Sequence, residues 1–78
     1  MSDVLEITVN RRRFDRSDGV NQAMTAAQIA ALVGIPAQNA VVERETAKNE
    51  LELIEGEAAM KIAGGMHFLV TRHFVMGG

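Results

Sequence analysis

The residues of this chain with the most defined chemistry are its last two, Gly77 and Gly78. Neither glycine has a Cβ, so this stretch of backbone can pass through a narrow channel and adopt angles that are closed to other residues. The reactive group is the α-carboxylate of Gly78, which is a poor acylating agent because its leaving group would be oxide. It must first react with ATP to form an acyl-adenylate. Chain ends are commonly rich in glycine, so the pair predicts an enzyme-activated acyl donor only together with the elements that precede it.

The other residues form no recognised arrangement for catalysis or metal binding. The chain has no cysteine, which excludes a disulfide framework and a thiolate metal site. His67 and His73 have no carboxylate close in sequence, so we interpret His67 as a polar residue of a strand and His73 as part of a tail. We expect no catalytic residues, no metal and no bound cofactor.

The composition is that of one small globular domain. The chain has 78 residues, of which 47% are hydrophobic and 23% are charged. A net charge of -2 and the lack of a long apolar run argue against nucleic acid and membrane partners. The first residues lack the features of a secretory signal, so we expect a cytoplasmic protein.

Charge is unevenly distributed along the chain. Arginines cluster early and glutamates cluster in the middle, at Arg11, Arg12, Arg13 and Arg16 and at Glu43, Glu45, Glu50, Glu52, Glu55 and Glu57. Such runs usually form solvated faces and sometimes orient a partner. We interpret the two runs as solvated faces.

The opening segment predicts a hairpin. Leu5, Ile7 and Val9 alternate with more polar neighbours, which is the period of a half-buried strand. Asn10 tolerates left-handed backbone angles, so a turn near it would lead into a second strand over residues 12–15. Phe14 would be the main buried side chain of that strand, and residues 20–24 would form a connection.

A helix is predicted to begin near Thr25. Thr25 and Gln28 have the spacing of a capping box, and Met24 can pack on Ile29 across the first turn. Gly34 supplies a left-handed residue that ends a helix of about nine residues, and a proline follows shortly after it.

The second half of the chain predicts three more strands, over residues 40–45, 60–62 and 66–70. The last of them is apolar almost throughout, as a central strand covered on both faces would be. The order of two strands, a helix and three strands predicts an α+β fold of the β-grasp (ubiquitin-like) type, a mixed sheet with one crossing helix. We expect this domain to span residues 1–70, followed by a flexible C-terminal tail over residues 71–78.

Three segments carry a resemblance to a known family. They are the first strand with its turn (residues 7–10), the helix and its stop (residues 25–36), and the last strand (residues 65–71) before the diglycine. In order and spacing the chain resembles ubiquitin-like proteins, in particular the bacterial multiubiquitin-type domains found beside activating and conjugating enzymes. The likeness covers nearly the whole chain.

The resemblance implies a protein modifier. An E1-like activating enzyme, using ATP and Mg, would adenylate Gly78, and an E2-like conjugating enzyme would join it to an amine of a target protein. A metalloprotease-type deconjugase is a further implied partner, and anti-phage defence in bacteria is an implied setting. We expect the enzymes to dock on the tail, at Arg72, His73, Phe74, Val75 and Met76, by strand addition.

The sequence leaves two alternatives open. A sulfur carrier has the same fold and the same diglycine but leaves its adenylate as a thiocarboxylate. A non-covalent β-grasp interaction module would use its sheet face or edge, with the glycines incidental. If the modifier forms chains, the candidate acceptor amines are Lys48, Lys61 and the α-amine of Met1.

Overall fold

The structure, a computed structural model, describes residues 5–72. Seven strands and one α-helix occur in this part of the chain. They are β1 (Ile7–Val9), β2 (Arg12–Phe14), β3 (Ala23–Met24), α1 (Ala26–Leu32), β4 (Ala40–Glu45), β5 (Leu51–Ile54), β6 (Met60–Lys61) and β7 (His67–Arg72), with 3-10 turns at Arg16–Asp18 and Ala37–Asn39.

Five strands form the main sheet, in the order β2-β1-β7-β4-β5. β7 runs parallel to β1, and the other neighbours are antiparallel, so the sheet is mixed. β3 and β6 form a separate two-stranded sheet. The predicted α+β arrangement of one helix on a mixed sheet is confirmed, and within it the first strand pairs with the last.

The first hairpin forms as predicted. Asn10 and Arg11 have φ angles of 54° and 69°, which are the left-handed angles of the tight turns that join twisted antiparallel strands. Phe14 is buried opposite Ile7, and β2 ends at Phe14, one residue before its predicted end.

The helix begins as predicted, with both hydrogen bonds of a capping box. The Thr25 hydroxyl accepts from the Gln28 backbone N–H at 3.2 Å, and the Gln28 side chain accepts from the Thr25 N–H at 2.9 Å. Two orphan donors of the first turn are thereby paired. Met24 and Ile29 are both buried in the core.

The helix ends by a left-handed motif at Gly34, whose φ is 73°. The N–H of Ile35 donates to the Ala30 carbonyl and the N–H of Gly34 donates to the Ala31 carbonyl, which is the bond pair of a Schellman motif. The helix has 7 residues and is shorter than predicted, because Thr25 and Val33 are its N-cap and C-cap and not helical residues.

A single core lies between the sheet and the helix. Its members come from both layers and from the connections: Leu5, Ile7, Val9, Phe14, Val20, Met24, Ile29, Ala30, Val42, Ile62, Phe68 and Val70. Among residues 5–72, no helix is long and apolar enough to cross a bilayer.

Two short strands were missed by the sequence patterns. Ala23–Met24, predicted as part of a connection, forms β3 because Met24 pairs with Met60 of β6. Leu51–Ile54, which had no assignment, forms the edge strand β5. Its leucines alternate with glutamate but are exposed, so the usual rule that apolar residues mark the buried face gives no signal there.

The prediction that the last strand is covered on both faces is wrong. Phe68 and Val70 are buried, whereas His67, Leu69 and Thr71 are exposed, so β7 is central in the sheet but covered on one face only. The strand also extends past its predicted end, so Thr71 and Arg72 pair with β4.

Candidate functional site

The end of β7 carries the last residues that the structure describes, Thr71 and Arg72. Thr71 pairs with Val41 and Arg72 pairs with Ala40, both at the start of β4. On the other side, β1 ends at Val9, which pairs with Phe68. The last residues of β7 therefore extend beyond the strand that flanks them.

The Asn10 side chain closes part of the gap left by the end of β1. Its amide nitrogen donates to the Val70 carbonyl at 2.9 Å, and its amide oxygen accepts from the Val70 N–H at 2.7 Å. Asn10 thus takes the place of another strand residue beside β7. The left-handed backbone at Asn10 turns the chain away while the side chain continues the ladder.

Beyond Val70, the strand edge that faces β1 has no partner among residues 5–72. The Met66 and Phe68 carbonyls accept from the N–H groups of Thr8 and Asn10, and Val70 pairs with the Asn10 side chain, so every second residue of β7 points its backbone this way. Arg72 is next in that series. Within residues 5–72, nothing pairs with its backbone on this side, which leaves room for an added strand.

The sheet face opposite the helix carries the exposed leucines of the domain. Leu51 and Leu53 are 51% exposed and Leu69 is 37% exposed. Leu69 and Leu53 both pair with Glu43, so the three strands β7, β4 and β5 place these side chains on one face. We call this surface the open face.

The open face also carries polar side chains of both kinds, a histidine and glutamates. His67 lies two residues before Leu69 on β7 and so shares its face, and Glu45 of β4 pairs with Leu51 of β5. His67 lies on the last strand, as predicted, and its side chain is exposed. Among the residues that the structure describes, no group of three or more His, Asp, Glu or Cys could hold a metal ion.

Most of the predicted site lies outside the described residues. This holds for the acyl-donor pair, Gly77 and Gly78, and for the tail residues His73, Phe74, Val75 and Met76, whereas Arg72 is an exposed strand residue. The candidate acceptors are not brought to it. Lys48 lies in the β4–β5 loop, at the far end of the sheet from Arg72, and Lys61 lies in the small sheet.

No protein-family model, no curated protein and no solved structure matches this chain. The site therefore has to be interpreted from its own geometry. In that geometry, the residue that sequence reasoning missed is Asn10. The sequence indicated its left-handed turn, but nothing in the sequence linked its side chain to Val70.

Proposed function

We propose that this chain is a ubiquitin-like protein modifier with a β-grasp fold, whose Gly78 carboxylate is joined to amines of target proteins. The observation that carries the proposal is the position of β7, which is parallel to β1 at the centre of the sheet and ends beside an open backbone edge at Arg72. A central strand is a rigid base for a C-terminal peptide that enzymes must bind. Gly78 lies six residues further along the sequence.

The proposed chemistry is acyl transfer in three steps. The Gly78 carboxylate attacks the α-phosphorus of ATP and releases pyrophosphate, which gives an acyl-adenylate. An enzyme thiolate then attacks the acyl carbon and releases AMP, which gives a thioester. Finally a target amine displaces the thiol and loses a proton, which leaves an amide bond. The modifier supplies the acyl group only, and ATP and Mg belong to the activating enzyme.

The geometry at Arg72 supports docking by strand addition. An extended peptide after Arg72 can pair with a strand of an activating or conjugating enzyme, because main-chain hydrogen bonds need no particular side chain. Alternate side chains then give specificity. In the proposed tail the alternating positions after Arg72 are Phe74 and Met76, both apolar and suited to pockets.

The test is an ATP-dependent reaction with an E1-like and an E2-like enzyme encoded beside the protein, followed by intact-mass measurement. The expected product has the summed mass of modifier and target less one water. The matched controls are deletion of Gly78 and Gly78→Val, which should give no adduct, and Gly64→Ala, which changes a distant glycine and should react normally. A terminal carboxylate converted to a thiocarboxylate would contradict the proposal and identify a sulfur carrier.

A second candidate, a non-covalent interaction module, is favoured by the open face. Single exposed apolar residues are common on protein surfaces, but Leu51, Leu53 and Leu69 lie on one sheet face and form a patch. Such patches often mark protein contacts. Leu53→Ser with Leu69→Ser should abolish binding to a partner if that role is the main one. In that case the function would survive deletion of Gly78.

A further inference from the structure

The two edges of the main sheet carry opposite charge. β2 forms one edge, and β5 forms the other. Arg11, Arg12 and Arg13 lie at the first edge, and the glutamates Glu50, Glu52 and Glu55 lie within or beside the second. The division of charge along the sequence is thus converted by the fold into a basic edge and an acidic edge on opposite sides of one sheet.

The charges at both edges are largely available for a partner. Within residues 5–72, Arg11, Arg12 and Arg13 form no ion pair, and neither do Glu50 and Glu55. Arg12 lies over the Phe14 ring at 5.4 Å, and Glu52 meets Arg44 at 3.4 Å. These contacts place Arg12 and Glu52 but leave their neighbours exposed to solvent.

The backbone of the acidic edge is also open. The N–H of Thr46 donates to the Glu50 carbonyl at 2.8 Å across the β4–β5 loop. Bonded pairs alternate along an antiparallel ladder, so the next ones are Arg44 with Glu52 and Val42 with Ile54. Leu51 and Leu53 therefore direct their backbone groups away from β4, and no other strand in residues 5–72 pairs with them. Such an edge is a template for another chain.

Strand directions permit the two edges to join. β1 and β7 run in one direction, and β2 and β4 run in the other, so β5 is antiparallel to β2. When two copies are placed side by side with their helices on the same face, β5 of one copy meets β2 of the next as an antiparallel pair. The mixed sheet then continues across the junction.

Side chains at such a junction are complementary on both faces. Arg13 pairs with Thr8 and so lies on the open face, with Leu51 and Leu53. The aliphatic stem of an arginine can cover a leucine while its guanidinium reaches a carboxylate nearby. Arg12 lies on the helix face, with Glu52 and Ile54.

We propose that the protein binds a second copy of itself head to tail, with the basic β2 edge of one copy added to the acidic β5 edge of the next. The contact is heterologous, so it leaves one free edge of each kind and continues into open chains or rings. It does not depend on the proposed conjugation, because Gly78 takes no part in it.

The first test is the molar mass of the full chain by light scattering after size exclusion. The mass should rise with protein concentration at ~0.1 M NaCl and return to the monomer at ~1 M, where the screening length falls from about 10 Å to about 3 Å. A monomeric mass at every protein and salt concentration would refute the proposal. A mass that never exceeds that of a dimer would also refute it, because a head-to-tail dimer keeps one free edge of each kind and must add further copies.

Charge reversal separates edge pairing from general charge effects. The first variant, Arg11→Glu with Arg13→Glu, makes the β2 edge acidic and spares Arg12. The second, Glu50→Lys with Glu55→Lys, makes the β5 edge basic and spares Glu52. Each variant alone has two edges of the same sign and should be monomeric.

Mixing the two variants gives the sharpest outcome. The acidic β2 edge of the first then fits the basic β5 edge of the second, and their remaining edges also fit, so an equimolar mixture should regain at least half of the wild-type mass increase. A mixture that stays monomeric, while circular dichroism shows both variants folded, would refute the proposal. The matched control, Lys61→Glu with Arg72→Glu, makes the same change in net charge as the first variant but away from both edges, and should assemble as the wild type does.

Discussion

The Asn10 side chain offers a direct test of how the last strand is fixed. Asn10→Gly keeps the left-handed backbone accessible and removes the two hydrogen bonds to Val70, of 2.9 Å and 2.7 Å. Each such bond contributes about 1 kcal/mol net, so the free energy of unfolding should fall by about 2 kcal/mol. For a domain of this size, that loss lowers the melting temperature by about 8–16 °C.

The matched control is Asn49→Gly. Asn49 also has a left-handed φ, of 61°, but its side chain forms no hydrogen bond within residues 5–72. Both substitutions relieve the same backbone strain, so the difference between their effects isolates the Asn10 bonds. Asn49→Gly should be neutral or slightly stabilising.

The assay is urea denaturation of wild type and both variants, followed by hydrogen exchange of the Val70 amide. We expect Asn10→Gly to lower the transition midpoint with little change in slope, and to increase exchange at Val70 more than at Val42 of the neighbouring strand. If the two glycine variants have equal stability to within about 0.5 kcal/mol, the Asn10 bridge does not hold β7 and the reasoning is wrong.

Three further predictions follow from the turns and caps. Thr25→Ala with Gln28→Ala removes both bonds of the helix cap and should cost about 1 kcal/mol in urea denaturation. Gly34→Ala should cost about 1 kcal/mol, since its φ is 73° but an added Cβ would meet nothing within 4 Å, so the cost is in the backbone alone. Hydrogen bonds from Ser17 lower the pKa of Asp15; Ser17→Ala should raise that pKa in an NMR titration.

The direction of the Asp15 pKa shift determines the pH range in which its hydrogen bonds stabilise the protein. Because the folded pKa lies below the ordinary value of an aspartate, the stabilisation is present above that ordinary value and is lost as the pH falls through the folded pKa. The stabilities of wild type and Ser17→Ala should therefore converge in acid. A gap that widens as the pH falls would contradict this.

Each of the other two substitutions has its own check. Gln38→Ala is the control for the capping box, because Gln38 lies in a 3-10 turn whose cap has no side-chain hydrogen bond, and it should be neutral. For Gly34, the left-handed angle is the issue, so Gly34→Asn should cost less than Gly34→Ala. Equal costs would show that the strain lies elsewhere.

Local signals predicted the parts of the fold whose causes are local. Thr25 and Gln28 satisfy each other within one turn, and Asn10 needs only its own backbone angles to turn, so both were visible in the sequence. The extent of β7 was not, because Thr71 and Arg72 are held by Ala40 and Val41, far away in the chain. The Asn10 bond to Val70 spans a separation of 60 residues.

The same distinction explains the two edges of the sheet. The sequence showed a basic and an acidic segment, which we interpreted as solvated faces, but it gave no assignment for Leu51–Ile54. Without a strand at Leu51–Ile54, the sequence could not place Glu50, Glu52 and Glu55 at an edge of the sheet. Because β5 and β2 form opposite edges of one sheet, the two charged segments lie on opposite sides of the domain. Solubility alone does not require this separation of charge.

The position of β7 also determines whether the two proposals can hold together. β1 separates it from the basic edge, and β4 separates it from the acidic edge, so neither edge contact would cover Arg72. A head-to-tail assembly of this protein would then present one C-terminal peptide per copy, in a row along the sheet.

An activating enzyme that needs the open edge beside Arg72 could still reach each copy. Assembly at ~0.1 M NaCl should therefore leave the rate of adenylation per chain unchanged between wild type and the Glu50→Lys, Glu55→Lys variant, whose substitutions flank β5 and are separated from β7 by β4. A rate that rises when assembly is abolished would mean that the two surfaces overlap.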